Sequence, residues 1–281
     1  MRAAVTHTQP ADAPVPEAGS PLAVRDVLRD GERDVVAVEE PLEIRVDGEA
    51  LAVTMRTPGH DEELALGFLF GEGLIAGPTD AALSDDLAAN AIEVRGPLAR
   101  ELPPRRFYTT SSCGVCGKGA IEEVAVHCAP LAAGPRVART LLAVLPDRLE
   151  QPGFARTGGL HATGLFDAAG KLLCMREDVG RHNAMDKVVG WALREGRLPL
   201  KDALLCVSGR LSFELVQKAA VAGAPVLVGV GAPTSLAVEL AHARGLTLCG
   251  FARRGRVNVY AGDERVVEGS APAVHRGGPG V

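Results

Sequence analysis

From Val35 to Met55 the chain alternates apolar and polar residues through VVAVEEPLEIRVDGEALAVTM. A period of two puts alternate side chains on opposite faces of a strand, and Asp47-Gly48 falls where a two-residue hairpin turn is wanted. Two or three antiparallel strands are expected there. The period then lengthens, and Thr57 to Gly73 reads as a helix. Pro58 suits its first turn, Asp61, Glu62 and Glu63 complement the helix dipole, and Leu64, Leu66, Phe68 and Leu69 supply apolar surface. Short strands are expected at Ile92-Glu93-Val94 and Phe107-Tyr108-Thr109, with helices at 121–126 and from Arg139 to Leu149. These elements predict an N-terminal α+β portion over residues 33–150.

Beyond it the pattern is more regular. Leu160 to Phe166 and Lys171 to Arg176 read as strands joined by the turn Asp167–Gly170, and His182 to Arg194 as an amphipathic helix. A strand (Ala203 to Val207), a helix (Leu211 to Ala222), a strand (Pro225 to Val230), a helix (Thr234 to Arg244) and a strand (Leu246 to Cys249) follow. Alternating strands and helices imply an α/β sandwich over residues 151–262 with a mainly parallel sheet. The apolar runs ALLCV and PVLVGV suit sheet centres buried on both faces. The first 32 residues read as a disordered lead-in and 263–281 as a loose tail; there is no internal repeat.

Composition adds bounds. The 281 residues suffice for two modest domains or one large one, and 47% hydrophobic with 23% charged residues is ordinary for a soluble protein. A net charge of −5 argues against broad nucleic-acid or membrane-surface binding. No apolar run approaches the ~20 residues of a membrane span, and the Ala- and Pro-rich start does not read as a secretory signal, so a cytoplasmic location is expected. Six cysteines are too few for a disulfide scaffold. Cys128, Cys174, Cys206 and Cys249 lie in or beside apolar stretches and read as small buried hydrophobes.

Cys113 and Cys116 differ. They stand in SSCGVCGKG, and two thiols at that spacing can share a metal, form a disulfide or pass a sulfur atom between them. Gly117, Lys118 and Gly119 bring backbone amides and a cation that favour the reactive thiolate. A structural zinc normally takes four ligands, often from two such pairs, and no second CxxC exists. A thioredoxin-type dithiol would follow a βαβ pattern, which is missing here.

Other candidates fall at strand-to-helix junctions, where open α/β sheets bind ligands. Arg176-Glu177-Asp178-Val179-Gly180-Arg181-His182-Asn183 holds more ionisable groups than a connection needs, although Asp178 and Asn183 suit turn or capping roles. Ser208-Gly209-Arg210 offers a hydroxyl, an amide and a guanidinium to an anion, and Gly231-Ala232-Pro233-Thr234-Ser235 repeats the geometry, with Thr234 or Ser235 a candidate N-cap. Phe251-Ala252-Arg253-Arg254-Gly255-Arg256 could grip a phosphorylated, flat-ringed ligand by charge and stacking, or be a solvated basic turn. His161, after Gly158-Gly159-Leu160, reads as a structural histidine when taken alone.

TSSCGVCGKG, TGGLHATGLF, REDVGRHNAMDKVVG, SGRLSFELVQKAAVAGAPVLVGVGAPTSLAVELA and GFARRGRVNVY, in this order, resemble the formate dehydrogenase accessory sulfurtransferases of the FdhD family over about Glu39 to Gly262. The resemblance implies a sulfurtransferase that takes sulfur from a cysteine desulfurase and delivers it to the molybdenum cofactor, in its bis-guanine-dinucleotide form, for formate dehydrogenase. It implies a persulfide on Cys113 with Cys116 as partner, cofactor binding by Phe251, Ala252, Arg253, Arg254, Gly255 and Arg256, a homodimer, and a cytidine-deaminase-like C-terminal fold. The chain lacks the H-x-E and P-C-x-x-C of the deaminases, so their zinc chemistry does not carry over and no metal of its own is expected. A cofactor-binding chaperone with a structural or zinc-binding CxxC is the alternative.

Overall fold

The expected hairpins form. In the computed structural model, which describes residues 24–77, 79–83, 90–99, 107–109, 130–131 and 133–269, the chain starts with β1 (Val24–Arg29) and β2 (Glu32–Ala37). Their turn, Asp30-Gly31, has both residues at positive φ (54° and 86°). β3 (Glu40–Val46) and β4 (Glu49–Arg56) pair in the same way around Asp47 and Gly48, at φ 49° and 84°. Such turns match the twist of the strands they join. The expected lead-in over residues 1–32 thus contains a strand from Val24, followed by the same Asp-Gly turn signal as at 47–48.

β5 (Asp80–Leu83), β6 (Ala91–Arg95) and β7 (Phe107–Thr109) complete a five-stranded sheet in the order β5-β6-β3-β4-β7. Its core of Leu42, Ile44, Val46, Ile92 and Val94 packs against α1 (Asp61–Gly71). This helix begins four residues later than expected. Thr57 gives its peptide N–H to Asp178 and its carbonyl to Lys187, so neither is free for a helical turn. His60, at φ 59°, breaks the chain direction just before Asp61. The helix at 121–126 lies outside the described residues.

The second sheet has six strands. After β8 (Val137–Ala138), α2 (Arg139–Val144), a 3-10 turn (Leu145–Arg148) and α3 (Pro152–Thr157) come β9 (His161–Asp167), β10 (Leu172–Asp178) and α4 (Arg181–Arg194). Then follow β11 (Ala203–Val207), α5 (Phe213–Val221), β12 (Val226–Gly229), α6 (Ser235–Arg244), β13 (Thr247–Arg253), β14 (Arg256–Ala261) and β15 (Val266–Val267). The sheet order is β10-β9-β11-β12-β13-β14. Only β11, β12 and β13 are mutually parallel. β9–β10 and β13–β14 are joined by tight turns, and a parallel crossover needs a dozen or more residues. The sheet is therefore mixed α/β, not mainly parallel.

Strand alternation sorts this core into two faces. Leu205 and Val207 of β11 point to α4, α5 and α6, while Leu204 and Cys206 point to α2 and the 3-10 turn. Residues 137–149, expected in the N-terminal portion, thus cover the second face of the larger sheet. The start of the expected tail is also built in. β15 pairs with β8, and buried Arg265 donates to the carbonyl of Ala133.

Helices α1 and α4 join the two sheets. A Cβ on Gly67 would come 1.8 Å from the Asp186 carbonyl oxygen, and one on Gly190 would come 1.8 Å from that of Glu63. Each glycine lets the other helix's backbone sit where a side chain would begin. α1 is apolar on nearly every side because it lies between a sheet and a helix.

Candidate functional site

Strand register brings the sequence candidates to one edge of the larger sheet. β11, β12 and β13 run the same way, so Ser208–Arg210, Gly231–Pro233 and Phe251 follow their paired segments at the same end. β9 and β10 bring His161 and Asp178 there, directly opposite each other. Hydrogen bonds run along this edge. Ala162 N donates to Ser208 Oγ at 2.9 Å, Gly231 N to Gly209 O at 3.0 Å and Phe251 N to Gly231 O at 3.1 Å. The expected cap also forms, with Ala237 N donating to Thr234 Oγ1 at 3.4 Å.

Part of the charged junction proves to be a structural knot. Lys187 Nζ lies 2.7 Å from Asp178 Oδ2, with the two side chains 1% and 0% exposed. Asp178 also accepts from Thr57 N (3.1 Å), Gly180 N (2.8 Å) and Asn183 Nδ2 (3.1 Å). Asn183 in turn donates to Met55 O at 2.8 Å and accepts from Thr54 Oγ1 at 3.2 Å. A buried charge is tolerated when paired and fully hydrogen-bonded, as this one is. The knot ties β4 of the smaller sheet to the start of α4. Arg176 makes a bidentate pair with Glu63 of α1 (2.6 and 2.8 Å), and Glu177 accepts from Gly153 N and Phe154 N at the start of α3. Asp178, Arg176, Glu177 and Asn183 are therefore occupied by the fold.

The remaining ionisable groups face the edge. His182 Nε2 lies 2.8 Å from Glu214 Oε2 and 3.2 Å from Ser212 Oγ. The hydrogen bond from His182, outweighing burial, holds the Glu214 carboxyl below the usual carboxylate range. Serine and carboxylate share one ring nitrogen, so this is no relay that would activate Ser212 as a nucleophile; a relay needs them on opposite nitrogens. His161 stands against Gly209, where a Cβ would lie 3.4 Å from its Nδ1. Burial first, then the charges of Arg181, His182 and Arg210, lower the His161 pKa. Its place beside Asp178 was hidden in sequence because β9 arrives from an earlier segment.

The basic segment at 251–256 is a hairpin rather than a loop after the last strand. β13 continues through Arg253, turns at Arg254-Gly255 and returns as the edge strand β14. Pairing slips between Gly250 and Arg253, and Phe251 takes φ 54°. A bulky side chain in the left-handed region is uncommon, and a bulge of this kind re-aims side chains. Phe251 is 37% exposed, next to Gly231. Arg253, Arg254, Gly255 and Arg256 are exposed, whereas Ala252 is 0% exposed in the core below α2. Ala252 therefore offers no side chain to a ligand.

Cys113 and Cys116 lie outside the described residues, as does Cys128. The strand leading to the pair is described. β7 ends at Thr109, in register with Thr54, whose hydroxyl bonds Asn183 at the strand-end edge. Four residues of chain span at most ~14 Å, which bounds the distance from Thr109 to Cys113. Burial pushes the Cys174 and Cys249 thiols up to about 12 and the Cys206 thiol higher still, so these three are poor thiolates at neutral pH. Among the described residues no group of three or more His, Cys, Asp or Glu could hold a metal ion, and no helix is long and apolar enough to cross a membrane.

Comparison with known proteins places the chain in a family. The FdhD/NarQ family model matches residues 37–267. The sulfur carrier protein FdhD of Anaeromyxobacter dehalogenans strain 2CP-1 is 51% identical over 269 residues, covering 87% of this chain and 93% of that protein. That of Streptomyces coelicolor is 49% identical over 263 residues, covering 87% and 93%. A crystal structure from Desulfotalea psychrophila, described provisionally as a formate dehydrogenase accessory protein, superposes with a TM-score of 0.69 at 29% identity, covering 87% of this chain and 98% of that one. On the extent of these matches, the chain belongs to the FdhD/NarQ family.

Proposed function

We propose that this protein is a sulfur carrier in formate dehydrogenase maturation, with Cys113 as the atom-bearing residue. The names of its relatives support the role. The observation that ties the role to this fold is the register of β7, which ends at Thr109 opposite Thr54, beside the strand-end edge. A carrier has to bring its loaded sulfur to an acceptor, and a cysteine within ~14 Å of Thr109 has that edge within reach.

In the loading step the Cys113 thiolate attacks the terminal sulfur of a donor persulfide, such as that of a cysteine desulfurase. A new S–S bond forms on Cys113, the old one breaks, and the donor cysteine leaves as a thiolate, with no net oxidation. If Cys116 attacks the Cys113 sulfur of the loaded persulfide, sulfide leaves and a disulfide remains, so the sulfur is lost without delivery and a thiol reductant must reduce the pair before it can be loaded again. The acceptor, and so the substrate of the carrier, is the molybdenum cofactor in its bis-guanine-dinucleotide form. Phe251 offers an aromatic face to a guanine, and the arginines of the β13–β14 turn offer charge to its phosphates.

The test is complementation in cells that lack their own carrier, read as formate dehydrogenase activity. Cys113→Ser is expected to lose activation while the protein accumulates normally. Normal activation by Cys113→Ser would replace the carrier with a cofactor chaperone.

A further inference from the structure

Asn183, the third residue of α4, holds two consecutive residues of β4. Its Nδ2 donates to Met55 O at 2.8 Å and to Asp178 Oδ1 at 3.1 Å, and its Oδ1 accepts from Thr54 Oγ1 at 3.2 Å. A carbonyl and a carboxylate on one side fix which end of the amide carries the nitrogen, and leave the oxygen for a donor. Thr54 and Asn183 are each 8% exposed, so neither group has water at hand as a substitute partner.

Among the described residues β7 pairs only with β4, through Ala52–Phe107, Val53–Tyr108 and Thr54–Thr109. An edge strand of three residues has little hold of its own, so the end of β7 goes where the end of β4 goes. Two sets of contacts restrain that end. Arg56 bonds Glu40, Asp61 and Asn90, all in or beside the smaller sheet. Thr54, Met55 and Thr57 are held from the other side, by Asn183, Asp178, Val179 and Lys187. Of these, Asn183 is the one that grips Thr54, the residue in register with Thr109 where β7 ends.

We infer that Asn183, acting through Thr54, is a positioning residue for sulfur delivery: it sets where β7 ends relative to the strand-end edge. The inference rests on the carrier reading above. Loading needs only a donor that approaches from solution. Delivery needs the chain beyond Thr109 and the edge held in register, and misplacement by about 1 Å is enough to slow a transfer step severely. A slip of β4 on α4 therefore lowers delivery and spares loading.

The test uses the full-length protein in cells that lack their own carrier, with Thr54→Val, which keeps the side-chain shape and removes the hydroxyl. Two quantities are read from the same cells: the fraction of Cys113 bearing an added sulfur, by peptide mass spectrometry, and formate dehydrogenase activity per loaded carrier. Thr54→Val is expected to load at least as fully as the wild type. Its activity per loaded carrier should fall about five-fold, the scale of one neutral hydrogen bond, and Thr54→Ser should restore most of it. Asn183→Ala, which removes both contacts to β4, should lose at least as much; if it does not fold, the two Thr54 variants still decide. Unchanged activity per loaded carrier in Thr54→Val would overturn the positioning role. So would a fall in loading that matches the fall in activity, since a purely structural contact lowers both together. Activation of formate dehydrogenase by the wild type with no sulfur on Cys113 would overturn the carrier reading, and this inference with it.

Discussion

Asp178 and Lys187 show how one ion pair can hold two parts of a chain together. Both are buried, and Asp178 is satisfied by three further donors from two segments of chain. Removing the cation leaves a buried carboxylate whose desolvation is no longer offset. Lys187→Met should cost about 3–5 kcal/mol of stability, measured by urea unfolding. A loss below 1 kcal/mol would mean that the knot is not what joins the sheets. In the sequence, Asp178 and Asn183 already suited turn or capping roles; the partners Thr54, Met55 and Thr57 could not be foreseen. They come from a strand more than a hundred residues earlier, and no local pattern encodes such a meeting.

At the scale of elements, local signals served where local physics decides. The Asp47-Gly48 hairpin, the apolar strands β11 and β12 and the helix α4 were all legible from period and turn chemistry. The sheet's mixed direction was not. The 253–256 turn reads as a basic loop, because three arginines mask the short return strand β14. Nor does a sequence show that Gly67 and Gly190, each inside a helical pattern, face one another. Gly67→Ala would drive a methyl group into the α4 backbone, and main chain in a helix cannot step aside as a side-chain tip can. A loss of at least ~3 kcal/mol is expected in denaturant unfolding, the upper range for overpacking. Gly48→Ala, whose Cβ meets no atom within 4 Å, has only its positive φ to oppose it and should cost about 1 kcal/mol. Equal losses in the two variants would contradict the close crossing.

Across the whole molecule, a buried pair couples stability to pH. Asp186 of α4 lies 2.8 Å from Lys218 of α5, and the Lys218 ammonium also stands 5.7 Å from the Phe68 ring of α1. Burial pushes the Asp186 carboxyl up to about 6 from 3.8, against the opposing pull of Lys218 and His182 and with added repulsion from Glu72. Between these values the folded protein holds a proton that the unfolded chain releases. The contribution of this group is therefore fully present below about pH 4 and is lost as the pH rises through 6, up to about 3 kcal/mol. Asp186→Asn should remove that slope, seen as a difference between the urea midpoints of wild type and variant at pH 4.5 and pH 7. Parallel midpoints at both pH values would refute the assignment.

The same scale holds the functional question. Among the described residues the fold gathers four of the family's sequence segments to one edge, and in the sequence the thiol pair follows a few residues after a strand anchored there. Three of the other four cysteines are too buried to compete as thiolates. The most direct measurement is peptide mass spectrometry of the wild type, Cys113→Ala and Cys116→Ala after incubation with a cysteine desulfurase and cysteine. One added sulfur on the Cys113 peptide, removed by a thiol reductant, present in Cys116→Ala and missing in Cys113→Ala, is the expected result. Sulfur on no peptide, or its persistence in Cys113→Ala, would contradict the carrier role assigned to Cys113.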